Sequence, residues 1–400
     1  MVKRNSFIQG LLHEMHNVIN DHSVLLTVLL APLVYVFLMG SIYQKKEVKK
    51  IPFAVVDYDK TPTTRNFTRL LSASPAIRLV SQPATYEKGK AALYSMKVQG
   101  FLVFPKGFEK KLLKGEGSDV NLYLNTTRFL PSNDLNRAVN TVFMTVGAGI
   151  RLHAYEAKGM NPKYAMELIN PVLADVHPVY NATNNYGDYL LPGLLFLILQ
   201  QTLLIGLGES FVRSREKGNL QEALRGNATD IFGWFGGRVS YYLFLYASYI
   251  LFYFGYAFHF LDIPLRGSKT ALFVISLLFL LVVMIYTMLV ASFSKKQIRI
   301  MEALAFTSYP LFLLSGYSWP VDAMPAPLQW LARIIPTTPM MDAVTKLCAE
   351  GTGWGPILND ILQLLVMLLV STLLFYWRMA VMKKKLTTVS TTGMQHSSAF

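Results

Sequence analysis

Long apolar runs recur along the chain. Six stretches of 17 to 23 residues contain no aspartate, glutamate, lysine or arginine. A helix rises 1.5 Å per residue, so crossing a hydrocarbon core of about 30 Å takes roughly 20 residues. Six runs of this length are hard to explain as buried helices of a water-soluble protein. They predict a polytopic α-helical membrane protein with six transmembrane helices: Val24–Tyr43, Tyr189–Gly208, Val239–Leu261, Ala271–Phe293, Ala303–Trp319 and Ile361–Trp377.

Residues 1–23 precede the first apolar run and carry hydrophobic side chains at three-to-four spacing. This period predicts an amphipathic helix at the cytoplasmic membrane interface. The segment also contains His13, His16 and His22, but no cysteine or carboxylate pair completes a metal site. We therefore expect interfacial packing and no metal. The apolar positions are Phe7, Ile8, Leu11, Leu12, Met15, Val18 and Ile19.

Residues 44–186 lie between the first two apolar runs and have a different pattern. Short β-rich runs alternate with helical patterns, which predicts a mixed α/β domain outside the membrane. Two roles remain open for it: a structural cap, or a surface that docks an envelope protein or lines an exit path. The predicted strands are Pro52–Asp57, Ile77–Ser81, Gln99–Phe104 and Val120–Asn125.

Composition supports the membrane interpretation. Hydrophobic residues make up 52% of the chain and charged residues 16%, against roughly 25% charged in soluble domains. The formal net charge of +14 does not indicate nucleic-acid binding, because the basic residues are not clustered on one soluble face. The single cysteine, Cys348, excludes an intrachain disulfide framework.

The basic residues instead predict an orientation. With both termini in the cytoplasm, the short inside segments hold twelve lysines and arginines and the short outside segments hold four, as the positive-inside rule requires. Lys45, Lys46, Lys49 and Lys50 would lie outside, but they open a long domain, and long domains are translocated largely regardless of charge. The inside set is Lys3, Arg4, Arg213, Arg215, Lys217, Arg225, Lys295, Lys296, Arg299, Lys383, Lys384 and Lys385, and the outside set is Arg266, Lys269, Arg333 and Lys346.

The predicted transmembrane region covers residues 187–382 and has two notable connections. A charged segment, Glu209–Arg225, joins the second and third runs and is predicted to be a helix on the cytoplasmic side. Residues 320–360 join the fifth and sixth runs, are rich in proline, and are predicted to dip into the outer leaflet as a re-entrant segment. Residues 383–400 are predicted to form a cytoplasmic tail.

A nucleotide phosphate loop is missing from the sequence. No G-x-x-x-x-G-K-[ST] motif occurs, and the nearest string, Gly267-Ser268-Lys269-Thr270, lacks the first glycine. Such a loop needs a strand-to-helix turn whose backbone amides surround phosphate. If this protein uses ATP, we expect another chain to bind the ATP and its Mg²⁺, with no cofactor on this chain.

Three motifs resemble one known family. The segment from Arg213 to Leu224, RSREKGNLQEAL, is similar to the "E-K-x-G-T-L-E-x-L" signature of ATP-binding-cassette exporter permeases of the second exporter class, with Asn219 where threonine is usual. Residues 314–339 resemble the family's region after the fifth span, and "AVVDYDKTPTTR", "GFLVFPKGFEKKLLKG" and "VNLYLNTT" in residues 54–127 resemble its outside domain. The motifs occur in the family's order over nearly the whole chain.

The resemblance implies a permease subunit of an ATP-driven exporter in a bacterial inner membrane. Its expected partners are an ABC ATPase subunit, a second permease copy or a paralogue, and the lipid bilayer, with a periplasmic membrane-fusion adaptor and an outer-membrane channel in two-membrane bacteria. Its expected substrate is drug-like, lipid-like or otherwise amphiphilic. Other hypotheses are a polysaccharide or glycolipid exporter, and a non-transporting scaffold or assembly factor. An ion-coupled transporter is disfavoured, because the interiors of the predicted spans hold no carboxylate.

The same resemblance makes the Glu209–Arg225 segment the expected coupling contact with the ATPase. Charged side chains there offer salt bridges and a glycine permits a bend, whereas the alternative is a solvated loop. In the second span, Gln200 and Gln201 either line a pore or hydrogen-bond between helices, and packing is favoured. The expected coupling residues are Arg213, Arg215, Glu216, Gly218, Leu220 and Glu222.

Overall fold

The computed structural model describes residues 6–43, 49–114, 116–169, 180 and 186–397, with side chains as far as residue 387. The described residues form two compact units. The bundle unit comprises Met1–Lys46 and Pro178–Phe400, and the sheet unit comprises Glu47–His177. The predicted domain boundary at residue 44 lies outside the described residues.

Helices predominate in the described part of the chain, with one sheet. Three π-helical turns, Leu26–Leu30, Tyr253–Ala257 and Thr345–Ala349, and two 3₁₀ turns, Val321–Ala323 and Gly355–Ile357, adjoin the α-helices. The strands are β1 (Ile51–Asp57), β2 (Ile77–Ser81), β3 (Gly100–Phe104) and β4 (Asn121–Leu124). The α-helices are α1 (Ser6–Ile19), α2 (His22–Leu25), α3 (Ala31–Tyr43), α4 (Pro62–Ala73), α5 (Tyr86–Tyr94), α6 (Phe108–Leu113), α7 (Phe129–Glu156), α8 (Pro162–Ile169), α9 (Tyr186–Glu216), α10 (Asn219–Arg225), α11 (Ala228–Phe252), α12 (Phe258–Phe260), α13 (Lys269–Ala291), α14 (Gln297–Phe306), α15 (Ser308–Leu314), α16 (Ala326–Arg333), α17 (Thr337–Val344) and α18 (Leu358–Ser397).

The sheet unit has strand order β2-β1-β3-β4, and each strand lies within one residue of its predicted bounds. β1 pairs in parallel with β2 and β3, whereas β4 is antiparallel to β3. Side chains alternate between the faces of a strand. Phe53 and Val55 therefore pack with Phe67 of α4 on one face, while Ala54 and Val56 lie in a second cluster on the other. Helices covering both faces explain why the strands read as nearly continuous apolar runs.

Within the described residues, five helical segments are long and apolar enough to cross a membrane. They overlap five of the six predicted spans, the exception being Ala303–Trp319. The five segments are His22–Tyr43, Tyr186–Glu216, Ala228–Phe260, Lys269–Ala291 and Gly355–Thr387.

The predicted fifth span is not one helix. Its first part belongs to α14, which ends at Phe306, and α15 begins at Ser308 and ends at Leu314. Pro310 lacks the amide that would bond to the carbonyl of Phe306, so a continuous helix is disfavoured there. The Leu304 carbonyl at the break accepts hydrogen bonds from Gln201 Nε2 at 2.7 Å and Thr307 Oγ1 at 2.6 Å. An uncharged run predicts burial in an apolar phase, but it does not predict an unbroken helix.

The two ends of the bundle are defined by contacts between helix termini. At the first end, Arg215 on α9 contacts the residues that follow α13, and Lys383 Nζ on α18 donates to the Gly226 carbonyl after α10 at 2.7 Å. We call this the Arg215 end. At the other, Gly267 N before α13 donates to the Leu347 carbonyl at 2.9 Å. We call this the Gly267 end.

A proline also shapes the first long segment. Pro32 cannot donate to the Val28 carbonyl one turn earlier, and the π-helical turn Leu26–Leu30 ends two residues before it. Tyr249 of α11 donates its hydroxyl to the Val28 carbonyl at 3.1 Å and to the Leu29 carbonyl at 2.8 Å. Tyr253 donates to the Pro32 carbonyl at 3.2 Å. The bond to Val28 satisfies a carbonyl that Pro32 deprives of its usual helical donor in an apolar bundle, and the other two bonds fix α11 against the same segment.

The predicted amphipathic segment, residues 1–23, contains α1 and the start of α2, and α1 packs closely against α11. A Cβ atom built on Gly10 would lie 2.1 Å from the Trp234 carbonyl oxygen, so the two backbones are in direct contact. The side of α1 that faces the protein carries the polar residues Glu14 and Asn17 together with Gly10 and Val18. Its apolar side, with Ile8, Leu12, Met15 and Ile19, is exposed.

Adjacent glycines of α11 provide a matched test of this contact. A Cβ atom at Gly237 would lie 2.1 Å from the Phe7 carbonyl oxygen, whereas one at Gly236 would lie 3.6 Å from the Phe7 ring. Alanine favours a helix by about 1 kcal/mol over glycine. We expect Gly236→Ala to keep or raise the melting temperature of the purified protein, and Gly237→Ala to lower it and to speed proteolysis of α1. Equal behaviour of the two variants would contradict the close α1–α11 packing.

Candidate functional site

The predicted helix Glu209–Arg225 is two helices joined by a turn. Residues as far as Glu216 continue α9, and α10 begins at Asn219. Gly218 between them has φ of 84°, in the left-handed region that glycine adopts without steric cost. The chain therefore bends at Gly218. The first part of the predicted segment extends α9, and the second part is the short helix α10.

Arg215 connects the end of α9 to the end of α13. Its Nη1 donates to the carbonyls of Ser292 at 2.9 Å and Ser294 at 2.7 Å. The last carbonyls of a helix lack intrahelical partners and carry partial negative charge, so a cation there is stabilising. Arg378 of α18 also donates to the Ser292 carbonyl, at 3.2 Å. Two arginines thus hold the ends of α9 and α13 against the middle of α18.

Arg213 connects α9 to the start of the first long segment. It forms an ion pair with Asp21, whose carboxylate also accepts from Ser23 N and so caps α2. Gln297 Nε2 of α14 donates to the same carboxylate at 3.1 Å. Partial burial raises the pKa of Asp21. The hydrogen bond from Gln297 and the charge of Arg213 lower it by more, so the pKa lies below its usual value. Asp21 therefore stays ionised at neutral pH.

Glu216, Leu220 and Glu222 have three different environments. Glu216 is exposed, and its Oε1 accepts from Gln297 N, the first amide of α14, at 3.1 Å. Leu220 is fully buried, together with Leu224 of the same helix, and these two residues anchor α10 in the core. Glu222 is exposed and makes no side-chain hydrogen bond or ion pair within the described residues.

The six predicted coupling residues therefore lie together at the Arg215 end, but in two layers. Arg213 and Arg215 bond to other elements of this chain and Leu220 packs in its core, while Glu216 is exposed but also accepts from the start of α14. The outward-facing charges that remain are Glu216, Lys217, Glu222 and Arg225. This outward set, which we call the α10 face, is rigid because α10 is also held by Gln221 Nε2, which donates to the Arg215 carbonyl at 2.9 Å.

Gln200 and Gln201 both make contacts to other segments. Gln200 is buried, and its Oε1 accepts from Thr337 Oγ1 of α17 at 2.7 Å. Gln201 bonds to the Leu304 carbonyl at the break between α14 and α15. Both amides thus link α9 to neighbouring segments of the bundle unit.

A buried polar cluster next to this site was not foreseen from the sequence. Glu14 of α1 and Arg238 of α11 are both fully buried, with Arg238 Nε 2.5 Å from Glu14 Oε2. Tyr242 donates to Glu14 Oε1 at 2.9 Å, Ser210 donates to the same oxygen, and Arg238 Nη2 donates to Ser214 Oγ at 2.6 Å. We call these five residues the Glu14–Arg238 cluster; it joins α1, α9 and α11.

The environment of this cluster keeps a nearby histidine neutral. His13 Nε2 lies 3.2 Å from Ser214 Oγ and 2.9 Å from Asn17 Nδ2. Burial lowers the pKa of His13, and the positive charge of Arg238 lowers it further. The only sequence signals for the cluster were a carboxylate within an amphipathic helix and an arginine just before a predicted span, neither of which identifies its partner.

Five long apolar segments, with polar groups paired inside the bundle, define a multi-pass membrane protein. The chain belongs to the ABC-2 family of transporter proteins, whose family model matches residues 22–377. It is thus a permease subunit, the transport component of an ABC transporter, in a family whose ATP hydrolysis resides on a separate ATPase.

Curated relatives are similar at low identity. The probable multidrug ABC transporter permease YbhS of Escherichia coli K12 is 22% identical over 84% of this chain and 87% of its own length. The linearmycin resistance permease protein LnrN of Bacillus subtilis is 22% identical over 82% of this chain and 87% of its own. The ABC transporter G family member 20 of Dictyostelium discoideum is 20% identical over 76% of this chain, and the match spans 41% of that longer protein.

Breaking the buried ion pair tests the cluster. Removing one partner leaves an uncompensated buried charge, which costs about 3–5 kcal/mol, whereas replacing both by apolar residues is often neutral. We expect Glu14→Leu and Arg238→Leu each to lower the free energy of unfolding by that amount, and the double variant to recover most of the loss. Denaturant titration of the purified permease measures this cycle. Additive losses in the double variant would contradict a coupled pair.

Proposed function

We propose that this chain is the membrane half of an ATP-driven exporter that moves a drug-like or other amphiphilic molecule out of the cytoplasm or inner membrane of a bacterium. The observation that carries the proposal is the α10 face, a set of exposed charges on and just before a short helix that packs against α9, α11 and α18. A solvated loop would not need Leu220 and Leu224 buried beneath it, or Arg215 and Lys383 bonded around it. We infer that an ABC ATPase subunit docks there.

ATP and Mg²⁺ belong to that partner in the proposed complex. The sequence has no phosphate loop, and the glycine string at 267–270 leads into α13 from a turn rather than from a strand. The ATPase would deliver its conformational change through α10 to the continuous helix α9. A second permease copy or a paralogue would complete the translocation path.

Chain continuity supports six membrane crossings. α13 ends at the Arg215 end, where Arg215 contacts Ser292, and α18 begins near the Gly267 end, where Ser268 N donates to the Thr352 carbonyl at 3.2 Å. The chain would therefore traverse the bundle between these two points through the broken pair α14–α15, of which α14 packs along α9 and α15 packs against α16 and α17. Residues 320–360 would then lie at the Gly267 end as short helices in the outer leaflet, with the exposed apolar side chains Trp330 and Ile334 in lipid.

An even number of crossings agrees with both termini being cytoplasmic, as the basic residues predict. The Arg215 end would then face the cytoplasm, and residues 44–186, inserted between α3 and α9, would be on the outward side. That domain is the proposed contact for a periplasmic adaptor and its outer-membrane channel.

Drug export is favoured over the alternatives by the relatives and by the inserted domain. Two relatives are named as a multidrug permease and a resistance permease, and this chain covers most of each. Polysaccharide exporters of the class usually lack so large a domain after the first span. A non-transporting scaffold or assembly factor would have no use for the α10 face.

The sixth crossing has a direct test. In a Cys348→Ser background, Lys295→Cys and Gly353→Cys put single thiols at exposed positions on either side of α14–α17. We expect a membrane-impermeant thiol reagent to label position 353 in cells with a permeabilised outer membrane, and position 295 only after the inner membrane is opened. Labelling of both positions from the same side would contradict the six-crossing topology.

Charge reversal on the α10 face tests the docking proposal. Glu222→Lys changes an exposed side chain without a partner in the described chain, so folding should be unaffected. A like-charge contact in an interface costs several kcal/mol, and 1.4 kcal/mol already changes binding about tenfold. We expect Glu222→Lys to lose at least about tenfold in co-purified ATPase and to lose transport.

The matched control is Glu87→Lys, at an exposed position on α5 of the sheet unit. Both variants should show wild-type expression and melting temperature. Glu216→Lys is expected to have a mixed effect, because it also removes the cap of α14. Wild-type ATPase binding by Glu222→Lys, at matched expression, would reject the α10 face as the docking contact.

A further inference from the structure

A cavity of about 410 Å³ lies at the Gly267 end of the bundle unit. Its walls come from the start of α9, the turn after α15, the end of α16, α17 and the start of α18. It is therefore far from the α10 face: α9 has Tyr189 in its first turn and Glu216 at its end, and 27 residues of helix span roughly 40 Å. The lining residues that matter here are Tyr189, Tyr317, Asp322, Arg333, Asp342 and Asp360.

Two tyrosines form a fixed aromatic wall. The rings of Tyr189 and Tyr317 are parallel within 3°, with centroids 5.1 Å apart. Each hydroxyl donates to the backbone carbonyl of the other residue, and Gly193 N donates to the Tyr317 hydroxyl at 3.2 Å. A Cβ atom on Gly193 would lie 2.4 Å from the Tyr317 ring, so glycine allows this contact. An aromatic wall held in place needs no ordering when a ligand binds.

The charges around the cavity are unbalanced. Lys346 Nζ lies 2.6 Å from Asp342 Oδ2 and 2.8 Å from Asp360 Oδ2, so one ammonium group is shared between two carboxylates. Burial lowers the pKa of Lys346, but its hydrogen bonds to Asp342 and Asp360 raise the pKa by more. The pKa therefore lies above its usual value, and this lysine remains charged. Asp360 is nearly buried, with its side chain 7% exposed, whereas the Asp342 side chain is 55% exposed.

The remaining lining adds to the negative charge. Among the described lining residues, three carboxylates are accompanied by a single guanidinium, that of Arg333, which lies 5.2 Å from the centroid of the Trp330 ring. With Lys346 included, the net formal charge is negative. Carboxylates beside phenol rings, in a space much larger than a bare ion, match an organic cation. No group of three histidine, cysteine or acidic side chains suited to a metal occurs within the described residues.

We propose that this cavity binds an organic cation, an ammonium or similar charged group on an amphiphilic molecule, at the Gly267 end of the bundle. This inference rests on the proposed function for its role: the cavity would hold the cationic group of an exported substrate on the outward side. Asp342 is the accessible carboxylate that meets the charge, Asp360 and Lys346 hold Asp342 in position, and Tyr189 and Tyr317 provide the apolar contact.

Two ions of nearly the same shape and opposite charge test the proposal. Tetraphenylphosphonium and tetraphenylborate are measured by equilibrium dialysis against the purified full-length permease in lipid nanodiscs, with empty nanodiscs subtracted. We expect saturable binding of the phosphonium and no saturable binding of the borate. Because no ATPase is present, the result is independent of whether the α10 face docks one.

Variants locate the binding. Asp342→Asn removes a half-exposed charge and leaves the Lys346–Asp360 pair, so the fold should persist, and unit charges a few ångströms apart near a surface interact strongly. We expect this variant to weaken phosphonium binding about tenfold, with Asp342→Glu retaining most of it. Glu87→Gln in the sheet unit is the matched control and should bind as the wild type does.

Three results would overturn the proposal. Equal phosphonium affinity in Asp342→Asn and the wild type would remove the cavity as the site. Saturable borate binding as tight as that of the phosphonium would show an apolar site without charge selection. Displacement of the phosphonium by Mg²⁺ in the wild type, but not by an equal concentration of choline, would identify a metal site instead.

Discussion

Inside a low-dielectric bundle, a polar group that finds no partner within the protein costs several kcal/mol, and this constraint accounts for most of the specific contacts in the bundle unit. Pro32 and Pro310 each leave a carbonyl without its helical donor. Tyr249 donates to the Val28 carbonyl that Pro32 leaves free, and to the carbonyl of Leu29. Pro310 follows the break between α14 and α15, where Gln201 and Thr307 donate to the Leu304 carbonyl. Polar side chains are therefore placed where the backbone is irregular.

The same constraint explains why charged residues form connected groups at the Arg215 end. Arg215 and Arg378 are bonded to carbonyls that end α13, and Arg213 is paired with the aspartate that begins α2. Each of these bonds joins a long helix to another element. A displacement of α10 would therefore be passed to α9, α11 and α18, and through Arg215 to the end of α13, rather than absorbed by a loop. This is the mechanical property that a coupling contact requires.

Hydropathy predicted five of the long segments, because crossing a bilayer demands length and apolarity, and both are local properties of a sequence. The strand positions in the sheet unit could be predicted equally well, because strands that are buried on both faces appear in the sequence as short apolar runs. The break at Thr307 was missed because Pro310 lies in a run without a charged residue, and only the absence of charge was used to predict the span. Gly218 was expected to permit a bend, whereas the partner of Glu216, a backbone amide of α14, depends on tertiary packing that no local pattern encodes.

Contacts between positions far apart in the sequence could not be predicted for the same reason. Nothing near Glu14 in the sequence indicates a partner 224 positions later, and an amphipathic period does not say which side of a helix meets the protein. Residues 6–19 do form a helix, but its buried side includes Glu14 and Asn17, whereas most of its apolar positions are exposed. Asp342 and Asp360 were likewise unremarkable as single acidic residues in a proline-rich connection and become a charged cavity wall only through the folding of α17 and α18.

The buried carboxylate of α1 also sets an order on biosynthesis. Translation proceeds at about 5–20 residues per second, so Arg238 emerges roughly 10–45 seconds after Glu14. During that interval α1 has no buried partner for its charge, but its row of Ile8, Leu12, Met15 and Ile19 suits the surface of a bilayer. The helix α1 would thus rest on the lipid until α9 and α11 have been synthesised, so its buried contact forms only after the third long segment of the bundle unit has been made.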